Sequence, residues 1–123
     1  GYYEETDRLV EYLLTGLKAD LDRTGTKLLV VFIPRGNAFE NGETLLRARR
    51  EPQAVHLRAL YEKLEIPFVD LLAALPAKHN PATVSREFYI HRPDGSIGHF
   101  TARGNAETAQ IIAEALKEKG MIH

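Results

Sequence analysis

Hydrophobic positions along this chain form long helical patterns at both ends and short dense runs between them. Leu9, Leu13, Leu17 and Leu21 recur at i, i+4, i+8 and i+12, with Val10 and Leu14 beside them and charged residues between. That period predicts an amphipathic helix from Glu4 to Arg23. Thr6 and Asp7 are candidate caps at its start, and Gly25 stands where a left-handed residue ends a helix. Gly16 inside the pattern costs roughly 1 kcal/mol against Ala, which predicts close packing on its face. Leu28 to Ile33 is an unbroken apolar run, half of it β-branched and stopped by Pro34, and it predicts a strand buried on both faces.

Arg35 to Arg50, punctuated by Gly36, Asn37, Asn41 and Gly42, reads as a long loop with Phe39, Leu45 and Leu46 packed. Pro52 opens a second helix carrying Leu57, Leu60, Tyr61 and Leu64. Ile66 to Asp70 predicts a short strand, and Leu71 to Leu75 a helical turn stopped at Pro76. Phe88 to Ile90 is a brief apolar anchor before a glycine-punctuated loop from Pro93. The last helix starts at Thr101, a suitable N-cap, presents Asn105, Ala109, Ile112, Ala113 and Leu116 on one face, and ends at Gly120.

The order helix, strand, loop, helix, strand, loop, helix predicts α/β layering in a single domain over residues 1–123. Two parallel strands make a poor free-standing core. The expectation is therefore either a homodimer or the second half of a larger α/β domain.

Composition removes several function classes. The chain has 123 residues, 44% hydrophobic and 27% charged, with 16 basic and 17 acidic side chains and a net charge of −1. It lacks the basic excess that a nucleic-acid partner or an anionic membrane surface calls for. With no Cys, a disulfide framework, a thiolate metal site and a cysteine nucleophile are excluded. No run of roughly 18 apolar residues is present to span a membrane. The opening Gly1-Tyr2-Tyr3, without methionine or signal pattern, reads as an excised fragment or a cleavage scar.

The candidate chemistry lies in Pro93-Asp94-Gly95-Ser96-Ile97-Gly98-His99-Phe100-Thr101. His99 stands just before the last helix, and an imidazole there can exchange protons near neutral pH. The plain alternative is a loop histidine that caps or packs under the helix. Asp94 is either an orienting acid for His99 or an ordinary Pro-Asp-Gly turn residue. His91, Asp94 and His99 have zinc-binding side chains but match no standard ligand spacing. Arg35 and Asn37 follow a strand end, where open α/β sheets bind ligands, and Asp70 fits either that crevice or a helix cap.

The strand ending in Ile33-Pro34, the Ile66-Pro67-Phe68-Val69-Asp70-Leu71 segment and Gly98-His99-Phe100-Thr101-Ala102-Arg103-Gly104-Asn105 leading into the final helix resemble the C-terminal half of the SGNH (GDSL-type) hydrolases. The resemblance covers roughly residues 4 to 119, and its terminal block is the specific part. It implies a three-layer α/β/α, flavodoxin-like fold, here a partial domain with few parallel strands. It also implies a serine ester hydrolase acting on a small-molecule or carbohydrate ester, with His99 as general base and no metal or organic cofactor. Gly104 matches the glycine that lets the turn close against the sheet. The family's orienting Asp usually lies three residues before the histidine, where this chain has Ser96. Asp94, five residues before, is the nearest preceding acid. Ser85 and Ser96 are the chain's only serines, neither lies in a nucleophile elbow, and the isolated chain is expected to be inactive. The rival expectation is a non-catalytic α/β module that binds a carbohydrate or a protein.

Overall fold

The computed structural model describes residues 1–123, apart from the side chain of Tyr2. Helix α1 (Tyr2–Arg23) leads to β1 (Val30–Phe32), a 3-10 turn (Gly36–Phe39), α2 (Gly42–Arg49), α3 (Pro52–Lys63) and β2 (Phe68–Asp70). Helix α4 (Leu71–Lys78) and the short α5 (Pro81–Thr83) run into a π-helical turn (Val84–Phe88). A hairpin of β3 (Tyr89–His91) and β4 (Ile97–Phe100) then delivers the chain to α6 (Ala102–Glu118). The result is mixed α/β, rich in helix and poor in strand. No helix among the described residues is long and apolar enough to cross a membrane.

The predicted parallel pair forms, with Val30 opposite Phe68, Val31 opposite Val69 and Phe32 opposite Asp70. It is less covered than its sequence implies. Val30, Val31 and Phe32 are half-buried, and Ile33 is 57% exposed. A two-stranded sheet has two outer edges and cannot cover both of its faces. The densest core lies beside it instead, where Phe39, Leu71, Leu72, Leu75, Val84 and Phe88 are almost wholly buried.

Helix α1 packs against α3, and Lys63 pairs with Glu11 at 2.6 Å. Val10, Leu14 and Leu21 are half-buried, but Leu9, Leu13 and Leu17 of the predicted stripe are exposed, as is Tyr12. Gly16 meets nothing within 4 Å, so its expected close packing is absent. The helix begins at Tyr2, ahead of Thr6 and Asp7, and ends where Gly25 takes φ +67° as expected.

The stretch expected as a loop after Arg35 is mostly helical. Asn41 accepts from the Thr44 backbone N–H at 2.9 Å while Thr44 Oγ1 accepts from the Asn41 N–H at 3.0 Å, a reciprocal cap that starts α2. The residues that read as loop punctuation are helix-start residues.

Helix α4 continues past Pro76 to Lys78. A proline at that position has no N–H to offer the carbonyl four residues back, which belongs to Leu72. The Arg49 guanidinium supplies the missing donor to Leu72 O at 2.9 Å. Asp70 caps the other end, accepting from the Leu72 N–H at 2.9 Å and pairing with Arg58 Nε at 2.7 Å. Asp70 is thus a helix cap.

In Arg49→Ala the buried Leu72 carbonyl loses its partner, and stability falls by about 1–2 kcal/mol. Adding Pro76→Ala restores an intrahelical donor, so urea denaturation of the double variant recovers part of the loss; simple additivity of the two changes would refute the pairing.

Candidate functional site

The histidine stretch is a hairpin, not a loop. Tyr89-Ile90-His91 and Ile97 to Phe100 flank the Pro93-Asp94-Gly95 turn, a pattern that signals two paired strands. Tyr89 pairs with Phe100 and His91 with Ile97, so β4 carries one residue more than β3 between these pairs. Gly98 and His99 together oppose Ile90, which is a β-bulge. Strict alternation would send Ile97 and Phe100 to opposite faces. The bulge lets both pack on the core and leaves the Gly98-His99 step free to face outward.

Three contacts fix the chain just after His99. Thr101 N–H donates to Phe88 O at 2.8 Å, and Thr101 Oγ1 donates to Glu87 O at 2.6 Å. The same hydroxyl accepts from Gly104 N at 3.1 Å, capping α6 as expected. A Cβ on Gly104 would stand 2.2 Å from Phe88 O and 3.0 Å from Phe100 Cδ1, so only glycine lets the helix start this close to the π-helical turn. Arg103 pairs with Glu87 beside it. The buried face of α6 is Gly104, Thr108 and Ile111, one residue round from the expected stripe; Asn105 and Ala109 are exposed. Thr108 reads as polar in sequence, which is why the hydrophobic pattern misplaced the face.

His99 is exposed and lines a cavity of about 630 Å³ with Arg35, Tyr89, Arg92, Ile97 and Asn105. Tyr89 forms its floor. The Tyr89 hydroxyl donates to Pro34 O at 2.9 Å, tying the exit of β1 to β3, and burial holds that phenol well above the usual range. Of the residues expected near a ligand, Arg35 lines this cavity and Asn37 a neighbouring one of about 550 Å³. Arg92 also lines the cavity, with its guanidinium against Gly98; the hairpin pairing was the signal in the sequence that could have found it.

The structure does not join Asp94 to His99. Asp94 Oδ1 accepts from the Ser96 hydroxyl at 2.6 Å and from the Ser96 N–H at 2.9 Å, which closes the hairpin turn. Those donors lie two residues away, whereas His99 lies five residues on, within the bulge. The His99 ring has no hydrogen-bond or ion-pair partner among the described residues. Neither serine is bonded to it: Ser96 is engaged with Asp94, and Ser85 is buried. His91 Nε2 donates to Ser85 O at 2.7 Å. His79 sits 3.0 Å from Glu107 and edge-on to Phe88. No cluster of three or more potential metal-ligating His, Asp or Glu side chains occurs among the described residues.

The chain is 29% identical over 106 residues to the rhamnogalacturonan acetylesterase RhgT of Bacillus subtilis (strain 168), a match covering 76% of this chain and 45% of that protein. The chain thus spans less than half the length of this relative. No protein-family model matches the sequence, and no solved structure matches it. The likeness is to an esterase.

This geometry has two measurable consequences. Gly104→Ala forces a methyl group into the Phe88 carbonyl and costs roughly 1–3 kcal/mol or more, because backbone cannot move aside as a side chain can. Chemical denaturation measures the loss, and a change in the His99 imidazole signals reports the displaced hairpin; wild-type stability would refute the contact. The Ser96 side chain and then its backbone N–H hold the Asp94 carboxyl below the usual Asp range. A depressed folded value stabilises the hairpin above the pKa of the unfolded chain, and that contribution is lost as pH falls through the folded value. Ser96→Ala therefore raises the Asp94 pKa in a carboxyl NMR titration, and an unchanged value would refute the turn.

Proposed function

We propose that this chain is the general-base part of a serine ester hydrolase, in a three-layer α/β/α, flavodoxin-like domain whose nucleophile is supplied from outside these 123 residues. The observation that carries the reading is the placement of His99. A bulge frees it from the core, the N-cap of a long helix stands two residues later, and its ring borders an open cavity with no competing partner. The esterase likeness supports the same reaction class, and the acetyl group and carbohydrate in that relative's name supply the substrate proposed here, an acetylated sugar.

The mechanism is acyl transfer to water. A serine hydroxyl attacks the acetyl carbonyl while His99 takes its proton. The imidazolium returns that proton to the departing sugar alkoxide, and a water activated by His99 then releases acetate. This chemistry calls for no metal or organic cofactor. Asp94 serves the base as a positioning residue, through the turn it closes with Ser96, rather than as a direct partner of the ring.

A second reading is a non-catalytic α/β module that binds carbohydrate. The absence of an acid on the His99 ring favours it, since an unoriented imidazole is a weaker base.

Complementation separates the two. The 123-residue chain alone deacetylates an acetylated oligosaccharide no faster than its His99→Ala variant. Mixed with the segment of the related acetylesterase that the match leaves uncovered, it gains activity, and His99→Ala then lowers kcat on the order of 10⁴-fold with little change in KM. Retained activity in the complemented variant sinks the catalytic role; sugar binding without activity establishes the module.

A further inference from the structure

The proton transfers assigned to His99 leave a second histidine, the half-buried His79, without a part. Its surroundings are specific. The ring stands edge-on to the Phe88 ring, with centroids 4.9 Å apart and planes at 82°. Aromatic rings favour this arrangement because the positive edge of one meets the negative face of the other. The His79 Nε2 is shut off from solvent and lies 3.0 Å from Glu107 Oε1, without the alignment of a hydrogen bond. Shutting a polar nitrogen away without an aligned partner is unfavourable. What the position gains is the ring contact with Phe88.

Phe88 is the residue whose carbonyl accepts the Thr101 N–H and is closely approached by Gly104. Its ring is 1% exposed and is held from two helices. Arg103 lays its guanidinium over the ring, with Cζ 5.5 Å from the centroid, and pairs with Glu87. Glu107, one turn further along α6, meets His79. Arg103, Gly104 and Glu107 thus close on Phe88 from α6, and His79 closes on it from α4. The end of α4 is a firm support. The His79 backbone N–H donates to Leu75 O at 3.0 Å, and Leu71, Leu72 and Leu75 of that helix are almost wholly buried. Lys78 pairs with Glu114 at 2.9 Å, so consecutive residues at the end of α4 meet carboxylates about two turns apart on α6.

We propose that His79 is a positioning residue for His99. Held by Glu107, its ring seats Phe88. The Phe88 carbonyl then fixes Thr101, and Thr101 fixes the hairpin step that carries His99. The two histidines act in series, one exposed at the cavity and the other packed behind the turn that aims it. The kinetic side of this inference rests on the reading of His99 as a general base, whereas the contacts from Glu107 to Thr101 belong to the fold alone.

Hydrogen exchange on the isotopically labelled chain tests the contacts apart from catalysis. His79→Ala and Glu107→Ala each speed exchange of the Thr101 amide about ten-fold and shift the His99 imidazole signals. The Val30 amide, which donates to Pro67 O in the parallel sheet, changes less than about two-fold and serves as the internal control. The double variant exchanges no faster than either single one, because both substitutions break the same support. Glu107→Ala decides the matter by itself if His79→Ala fails to fold, since Glu107 is partly exposed and Ala suits a helix. Unchanged Thr101 exchange, Val30 exchange rising in step with it, or additive effects in the double variant overturns the proposal. In the complemented enzyme either variant lowers kcat about ten-fold at unchanged KM, and full kcat beside a displaced hairpin overturns the positioning role. Faster Thr101 exchange in a chain that stays inactive on complementation leaves the support of the hairpin standing and removes only the esterase reading.

Discussion

The Phe88 carbonyl is the point on which the site end of this molecule turns. It accepts the Thr101 N–H at 2.8 Å and is approached so closely by Gly104 that no side chain fits between. Through that one group the π-helical turn, the end of β4 and the start of α6 are fixed to one another. His99 inherits its position because it lies two residues before the pinned Thr101 and within the bulge. The wide ring of the π-helical turn leaves the last carbonyl free of an intrahelical partner, which is what makes it available to the hairpin.

The parts of the fold set by local chemistry were legible in sequence. The long terminal helices, their glycine stops, the Thr101 cap and the parallel pairing partners all follow from spacing and from residues that permit one conformation. What escaped was set by tertiary contact. Asn41 and Gly42 read as loop residues until the Thr44 hydroxyl turns them into a cap. Pro76 reads as a stop until a side chain from another helix replaces its missing donor. The bulge is invisible to periodicity, because one extra residue in a four-residue strand erases the alternation that would announce the strand. His99 was legible as chemistry. The lack of a bond from Asp94 and the presence of Arg92 follow only from how the hairpin closes.

The exposed leucines of α1 and the half-covered β1 belong together. Leu9, Leu13 and Leu17 give the helix a second, exposed apolar stripe beside the half-buried Val10, Leu14 and Leu21, and β1 has an open edge with Ile33 at its end. An amphipathic helix normally carries one such stripe. The spare stripe and the open strand edge leave apolar surface and backbone hydrogen-bonding groups uncovered.

The Arg49 bond to Leu72 has a consequence for motion. A helix without proline can fray and re-form by itself, since every interior donor is its own. Helix α4 cannot, because one of its interior carbonyls is satisfied from α2. Whenever α2 lifts away, the middle of α4 loses a hydrogen bond, and whenever α4 melts, Arg49 loses its seat. The two helices therefore open as one cooperative unit, and their slowest amides should share a single opening free energy in hydrogen exchange. The capped floor of the molecule is in this way a hinge-free block.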